Sequence, residues 1–289
     1  MLAPFDRPVY LTRSWCLFEF LVAMKLGLAM DMVLAPVEEE RLVAFLTTRG
    51  DFLELFSRID FGAAEASVAE DRERIRERVV AELGAEGFRV LNERVMERMR
   101  LWLAEVARAR HDGMGKEERA GSEFQRHLGD MMVEMGRYKE AEEVLEECVA
   151  GGNNDAFLSL GCLFQRQGKG AEALEAHKKD LNYGIGLGGP WHIYVAGTFS
   201  NIGLVYMDTL GMHQEALAMY DKALDIGIKG TGEADWSFLF NKGLCLCRLR
   251  RYSEAMPVLR QSHDAVLMQL GPAHVACHIV KVWMGNTER

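Results

Sequence analysis

No CxxC pair occurs in the 289 residues, which removes the spacing that structural zinc sites use. The six cysteines, Cys16, Cys148, Cys162, Cys245, Cys247 and Cys277, are scattered through apolar stretches and read as reduced, buried thiols. Surplus positive charge is lacking too. With 34 basic residues against 43 acidic ones the net charge is −9, so there is no electrostatic footprint for phosphate backbones, and nucleic acid is excluded as a partner. Uninterrupted apolar runs of membrane length are missing: residues 15–36 come nearest, but Glu19, Lys25 and Asp31 break them where charge is costly. That stretch reads instead as a buried helix over 14–28 followed by a short core strand over 31–34. No basic, apolar and small-residue succession opens the chain, and with reduced thiols this points to the cytoplasm. Neither a phosphate-binding lysine loop nor a serine, histidine and aspartate set is evident, so no cofactor is expected. What is present is 49% hydrophobic residues, enough for a real core.

That hydrophobic content is periodic. Gly129, Gly161, Gly203 and Gly243 recur at intervals of 32, 42 and 40 residues. Twelve or thirteen positions after each glycine stands an alanine, Ala141, Ala173, Ala216 or Ala255, and four beyond these come Leu145, His177, Tyr220 and Leu259. The spacing is that of tetratricopeptide helical hairpins, in which small residues let helices A and B approach and bulky ones fill the gap. Turns fall at Gly136-Arg137-Tyr138, Gly168-Lys169-Gly170, Gly211-Met212-His213 and Arg250-Arg251-Tyr252, and the third hairpin carries one extra residue. Two joints look alike: Gly189-Pro190-Trp191-His192 before Gly203, and Gly271-Pro272-Ala273-His274 before Gly285, which starts a partial fifth repeat. Val280, Val282 and Trp283 suit a terminal cap poorly, so self-association through the C-terminal helix is expected.

The Gly-Pro-x-His joints and repeats of about forty residues resemble those of kinesin light chains, with ordinary tetratricopeptide repeats before them. No heptad coiled coil precedes the repeats. The resemblance implies a superhelical groove that takes extended peptide segments. Counting each repeat glycine as position eight puts Asn201 and Asn241 at position six of helix A, where an asparagine can hydrogen-bond a peptide backbone or the neighbouring helix. Ser200, Leu204, Met207, Phe240, Leu244 and Cys247 form an apolar floor around them, and Arg126 and Arg248 add basic spots. The lysines of a carboxylate clamp are absent, for Glu123, Asp155, Gly197 and Ser237 hold the comparable positions.

Residues 10–19, YLTRSWCLFE, resemble the Ser-x-Trp-Cys-Leu-x-Glu segment of plant Toll/interleukin-1 receptor-like domains, as in repeat proteins of algae and other microbial eukaryotes. In enzymatically active members of that family the glutamate on this helix serves in cleaving the nicotinamide bond of NAD, and Glu19 is the matching position. The resemblance thus implies an alternative to peptide binding, an NAD-hydrolysing or signalling protein regulated by the repeats. The competing role for this helix is structural, with Trp15, Leu17, Phe18 and Leu21 burying one face.

Two further patterns occur in the sequence. Residues 184–189 satisfy GxGxxG, but a helix rather than a strand precedes them, so an inter-hairpin loop is expected. His274, Cys277 and His278 share one helix face, yet Val275 stands where a zincin needs its glutamate, and no metal is expected. The reading is a mainly α chain: a partial receptor-like α/β segment over 1–60, a helical bridge and linker over 61–115, and a tetratricopeptide α-solenoid over 116–289. Within the bridge, apolar stripes at Val79, Val80, Leu83, Phe88, Leu91, Val95 and Leu101 predict two helices broken near residues 84–87, and the polar stretch 109–121 predicts a linker. Its function is expected to be binding of a protein or peptide ligand rather than catalysis.

Overall fold

The computed structural model describes residues 14–28, 35–48 and 69–287, and these form two compact units, Met1–Asn153 and Asn154–Arg289. In the first unit α1 spans Ser14–Lys25, α2 Pro36–Thr48, α3 Ala69–Leu83, α4 Gly87–Gly113, α5 Lys116–Arg119, α6 Glu123–Glu134 and α7 Tyr138–Ala150. In the second, α8 spans Ala156–Arg166, α9 Gly170–Gly188, α10 Ile193–Leu204, α11 His213–Thr231, α12 Trp236–Arg248, α13 Tyr252–Gln269 and α14 Val275–Thr287. No strand occurs among the described residues, so no α/β segment is seen, and the strand expected at 31–34 lies outside them.

The bridge helices break where the glycines predict. Glu70 and Asp71 favour the start of α3 by opposing its dipole, and Gly84, at φ 83°, ends it. Leu91, Val95, Met99 and Leu103 then recur on one face of α4 and are fully buried. Val80 and Leu101, expected in the stripe, are exposed instead. The linker expected over 109–121 is largely helical: α4 runs on to Gly113 with His111 buried, and α5 follows after a short break.

Ser122 starts α6 by accepting the Gln125 amide at 3.1 Å, while the Gln125 side chain accepts the Gly121 amide at 3.0 Å. This first hairpin, assigned by its spacing to the repeat array, packs through α6 onto α2 and α4 and so closes the first unit. The His127 Nδ1 lies within hydrogen-bond reach of the Leu46 carbonyl, and Arg126 Nη2 stands 2.7 Å from its Nε2, so the ring is held between two elements of the unit.

Each repeat glycine meets the side chain that the spacing assigns to it. A Cβ placed on Gly129 would stand 2.4 Å from Leu145, on Gly161 2.3 Å from His177, on Gly203 2.7 Å from Tyr220, and on Gly243 2.5 Å from Leu259. The alanines Ala141, Ala173, Ala216 and Ala255 are all completely buried. Absence of a side chain on helix A therefore creates the hole that the bulky residue of helix B fills.

The extra residue of the third hairpin appears as a π turn, Val205–Thr209, in which the Leu210 amide reaches the Val205 carbonyl at 3.1 Å. Insertion is thus absorbed inside helix A, and Gly203 still faces Tyr220.

Three of the four hairpin turns place a glycine in the left-handed region, at Gly136, Gly168 and Gly211, whereas the fourth forces Arg250 to φ 58°. A side chain there costs energy that glycine does not. Arg250→Gly is expected to stabilise the protein by about 1 kcal/mol, read as a rise in urea midpoint at unchanged m-value.

In the second unit, extensive packing links each helix to its neighbours in sequence, and α8 and α14 form no packed pair. The helices make an open array of hairpins, α8 with α9, α10 with α11 and α12 with α13, followed by α14, and not a closed bundle.

Candidate binding groove

Three joints orient the A helices that would line a groove. At both Gly-Pro-x-His joints the glycine adopts positive φ, and the histidine accepts an amide of the helix it begins: Tyr194 N–H to His192 Nδ1 at 3.3 Å, Ala276 N–H to His274 Nδ1 at 3.2 Å. The joint before α12 uses Asp235, which accepts the Ser237 amide at 2.7 Å. Each is a side-chain cap on an orphan N–H, which explains the shared joint sequence. Lys229 lies 4.1 Å over the Trp191 ring and pins the first joint to the end of α11.

Residues 184–188 are not a loop. They form the last turn of α9, and a Cβ on Gly184 would strike Tyr194 at 2.6 Å, one on Gly188 His192 at 2.4 Å. The glycines let α10 lie close on α9. Across that contact Asp180, fully buried, accepts the Tyr194 hydroxyl and the Thr198 hydroxyl, the latter at 2.7 Å. Burial raises its carboxyl above the usual range in spite of both donors.

The candidate contact residues separate into three groups. Ser200 and Met207 are buried, and this corrects their assignment to a ligand-facing floor: the Ser200 hydroxyl accepts from Asn241 Nδ2 at 3.3 Å, and Met207 packs beside the Tyr220 hydroxyl. Asn241 thus spends part of its amide on the neighbouring A helix, while Asn201 is half-buried and its side chain makes no hydrogen bond to a described residue. Leu204 packs against the core around Met207 and Tyr220, and Phe240 against that formed by Val266, Ala276 and Val280. Leu244, Cys247 and Arg248 open onto a cavity. Its volume is about 330 Å³, and Tyr252, Trp283 and Thr287 complete its walls.

Tyr252 and Trp283 were not among the sequence candidates. The signal existed, because Trp283 stands two residues before Gly285 as Asn201 and Asn241 stand two before their own glycines. Arg248 is exposed and ion-paired with no described residue. Arg126, the other basic spot, lies in the first unit and pairs with Glu123 at 2.7 Å and Asp130 at 3.0 Å.

Burial pushes the Cys245 thiol up to about 11, and its Sγ–H donates to the His213 carbonyl at 3.1 Å. His274 spends Nδ1 on its cap, Cys277 is buried toward the Gly271 carbonyl at 3.4 Å, and His278 is exposed, so the three do not converge on a metal position. Glu19 is exposed on α1, and the residues before Ser14 lie outside the described ones.

Residues 196–226, from α10 through the third glycine and alanine into α11, match the family model of the tetratricopeptide repeat. Among solved structures the chain resembles the crystal structure of BtubC (BKLC) from P. vanneervenii, a kinesin light chain-like protein. The likeness has a TM-score of 0.52 at 15% identity and covers 76% of this chain and 84% of that one. The fold is a tetratricopeptide solenoid. No curated protein matches the sequence. The solenoid reading accounts for the glycine holes, the buried alanines and the left-handed turns with one repeated unit.

Proposed function

We propose that this tetratricopeptide solenoid is a protein-interaction scaffold that holds extended peptide segments along the face of α10, α12 and α14. One observation carries the reading. Between α12 and α14 the cavity lined by Leu244, Tyr252 and Trp283 offers apolar and aromatic walls to an anchor side chain, with the Arg248 guanidinium at its edge. The net charge of −9 supports a protein ligand over nucleic acid, and no helix among the described residues is long and apolar enough to cross a membrane.

The test is to pan a displayed random-peptide library on the full chain and titrate the enriched peptides. Arg248→Glu and Leu244→Asp are each expected to weaken binding at least tenfold, the loss that follows from about 1.4 kcal/mol of a charge-assisted or apolar contact. Equal affinities in wild type and both variants would place the groove elsewhere. Binding without turnover belongs to the same proposal: nicotinamide released from NAD on incubation with the purified protein would overturn it and bring Glu19 forward.

A further inference from the structure

The hole beside the repeat glycine is filled by leucine in two hairpins and by tyrosine in a third, but in α8 with α9 an imidazole fills it. His177 is completely buried there, and neither ring nitrogen has a hydrogen-bond partner among the described residues. Leucine occupies the same kind of hole without a polar atom to desolvate, so the histidine breaks the rule that the other hairpins keep. Such breaks gather where function overrides stability.

Three residues further along α9, Asp180 is equally buried but faces the next helix. It accepts the hydroxyls of Tyr194 and Thr198 on α10, the latter at 2.7 Å. Helix α9 thus carries one buried titratable group toward α8 and another toward α10, and protons act on them in opposite senses. A proton on His177 places an unpaired charge inside the α8 contact. A proton on Asp180 removes a buried charge from the α10 contact. The attachments differ too: within the second unit α8 packs extensively on α9 and on no other described helix, whereas α10 packs on both α9 and α11.

We infer that α9 is a one-sided acid latch, in which protonation of His177 releases α8 from the solenoid while the Asp180 contact keeps α9 on α10. On the elements packed against α9 the ionisable groups are Asp155 just before α8, Cys162 and Arg166 on α8, His192 and Tyr194 at the start of α10, and Tyr206 and Asp208 in the π turn. Helix α9 itself adds Glu172, Glu175, Lys178, Lys179 and Tyr183. None of them offsets the burial that holds the imidazole at about 4, and the charge of Asp155 adds to the burial that raises Asp180. With α8 released, the ring returns to its ordinary value near 6.5, so the open form takes up the proton first. Relative to about pH 7.5, the opening equilibrium of α8 rises roughly tenfold at about pH 5.5 and roughly seventyfold at about pH 4.5.

Hydrogen exchange of the full chain, resolved helix by helix and corrected for the intrinsic rate at each pH, is the test. Protection of α8 is expected to fall by those factors while α10 and α12 keep theirs. His177→Leu, which puts into this hole the residue that two other hairpins use, is expected to keep α8 protected throughout the range. An α8 whose protection does not change in the wild type would overturn the inference, as would the same fall in His177→Leu. Equal losses in α8 and α10 would overturn it too, because the unit would then open as a whole.

Discussion

Replacing His177 by leucine is expected to raise stability at pH 7 by about 2 kcal/mol and to flatten its decline toward acid. His177 fills the Gly161 hole completely buried, and neither ring nitrogen has a hydrogen-bond partner among the described residues. Leucine does the same job opposite Gly129 and Gly243 without a polar atom to desolvate. Burial lowers the imidazole from 6.5 to about 4, so on acidification the unfolded chain takes up a proton that the folded chain refuses. Stability from this residue is therefore intact above pH 6.5 and lost as pH falls toward 4, a swing of roughly 3 kcal/mol. Asp180 works the other way: its raised carboxyl protonates before that of the unfolded chain, which favours the fold as pH drops. The difference between wild type and His177→Leu isolates the histidine. Urea melts of both proteins at about pH 7.5 and about pH 4.5, on either side of the ordinary imidazole value, measure it, and parallel pH dependence would show that His177 is solvated.

Two glycines of one helix are expected to respond to alanine with opposite signs. Gly203 and Gly197 both lie in α10, and in an open helix alanine is better than glycine by about 1 kcal/mol. At Gly197 a Cβ meets no described atom within 4 Å, so the full gain is expected. At Gly203 the Cβ would lie 2.7 Å and 3.0 Å from carbons of the Tyr220 ring, which is rigid and wholly buried. Overpacking there costs about 3 kcal/mol, and the net loss is about 2 kcal/mol after the propensity gain. Thermal melts of the two single variants check the signs. A stable Gly203→Ala would mean that the glycine is not a hole for helix B.

These glycines also show why the hairpins were legible in the sequence. Contact between Gly203 and Tyr220 joins residues of one hairpin, so a fixed spacing encodes it, and the one-residue excess of the third hairpin was equally visible. The groove was less legible because its contacts join different repeats. That Asn241 bonds to Ser200, or that Trp283 closes a cavity with Leu244, depends on how far one hairpin rotates against the next. Counting positions within a repeat carries no such information. Met207 was misplaced for a related reason: the π turn rotates residues after Val205, which sends a position counted as groove-facing into the core.

That wide turn has a bearing on how such arrays vary in length. When one carbonyl hands its bond from the fourth amide to the fifth, a single added residue becomes slack within a coil, and the residues on either side keep their appointments with helix B. An array built this way tolerates single-residue slips between repeats that would flip every side chain of a strand, and units of unequal count can still be strung on one thread.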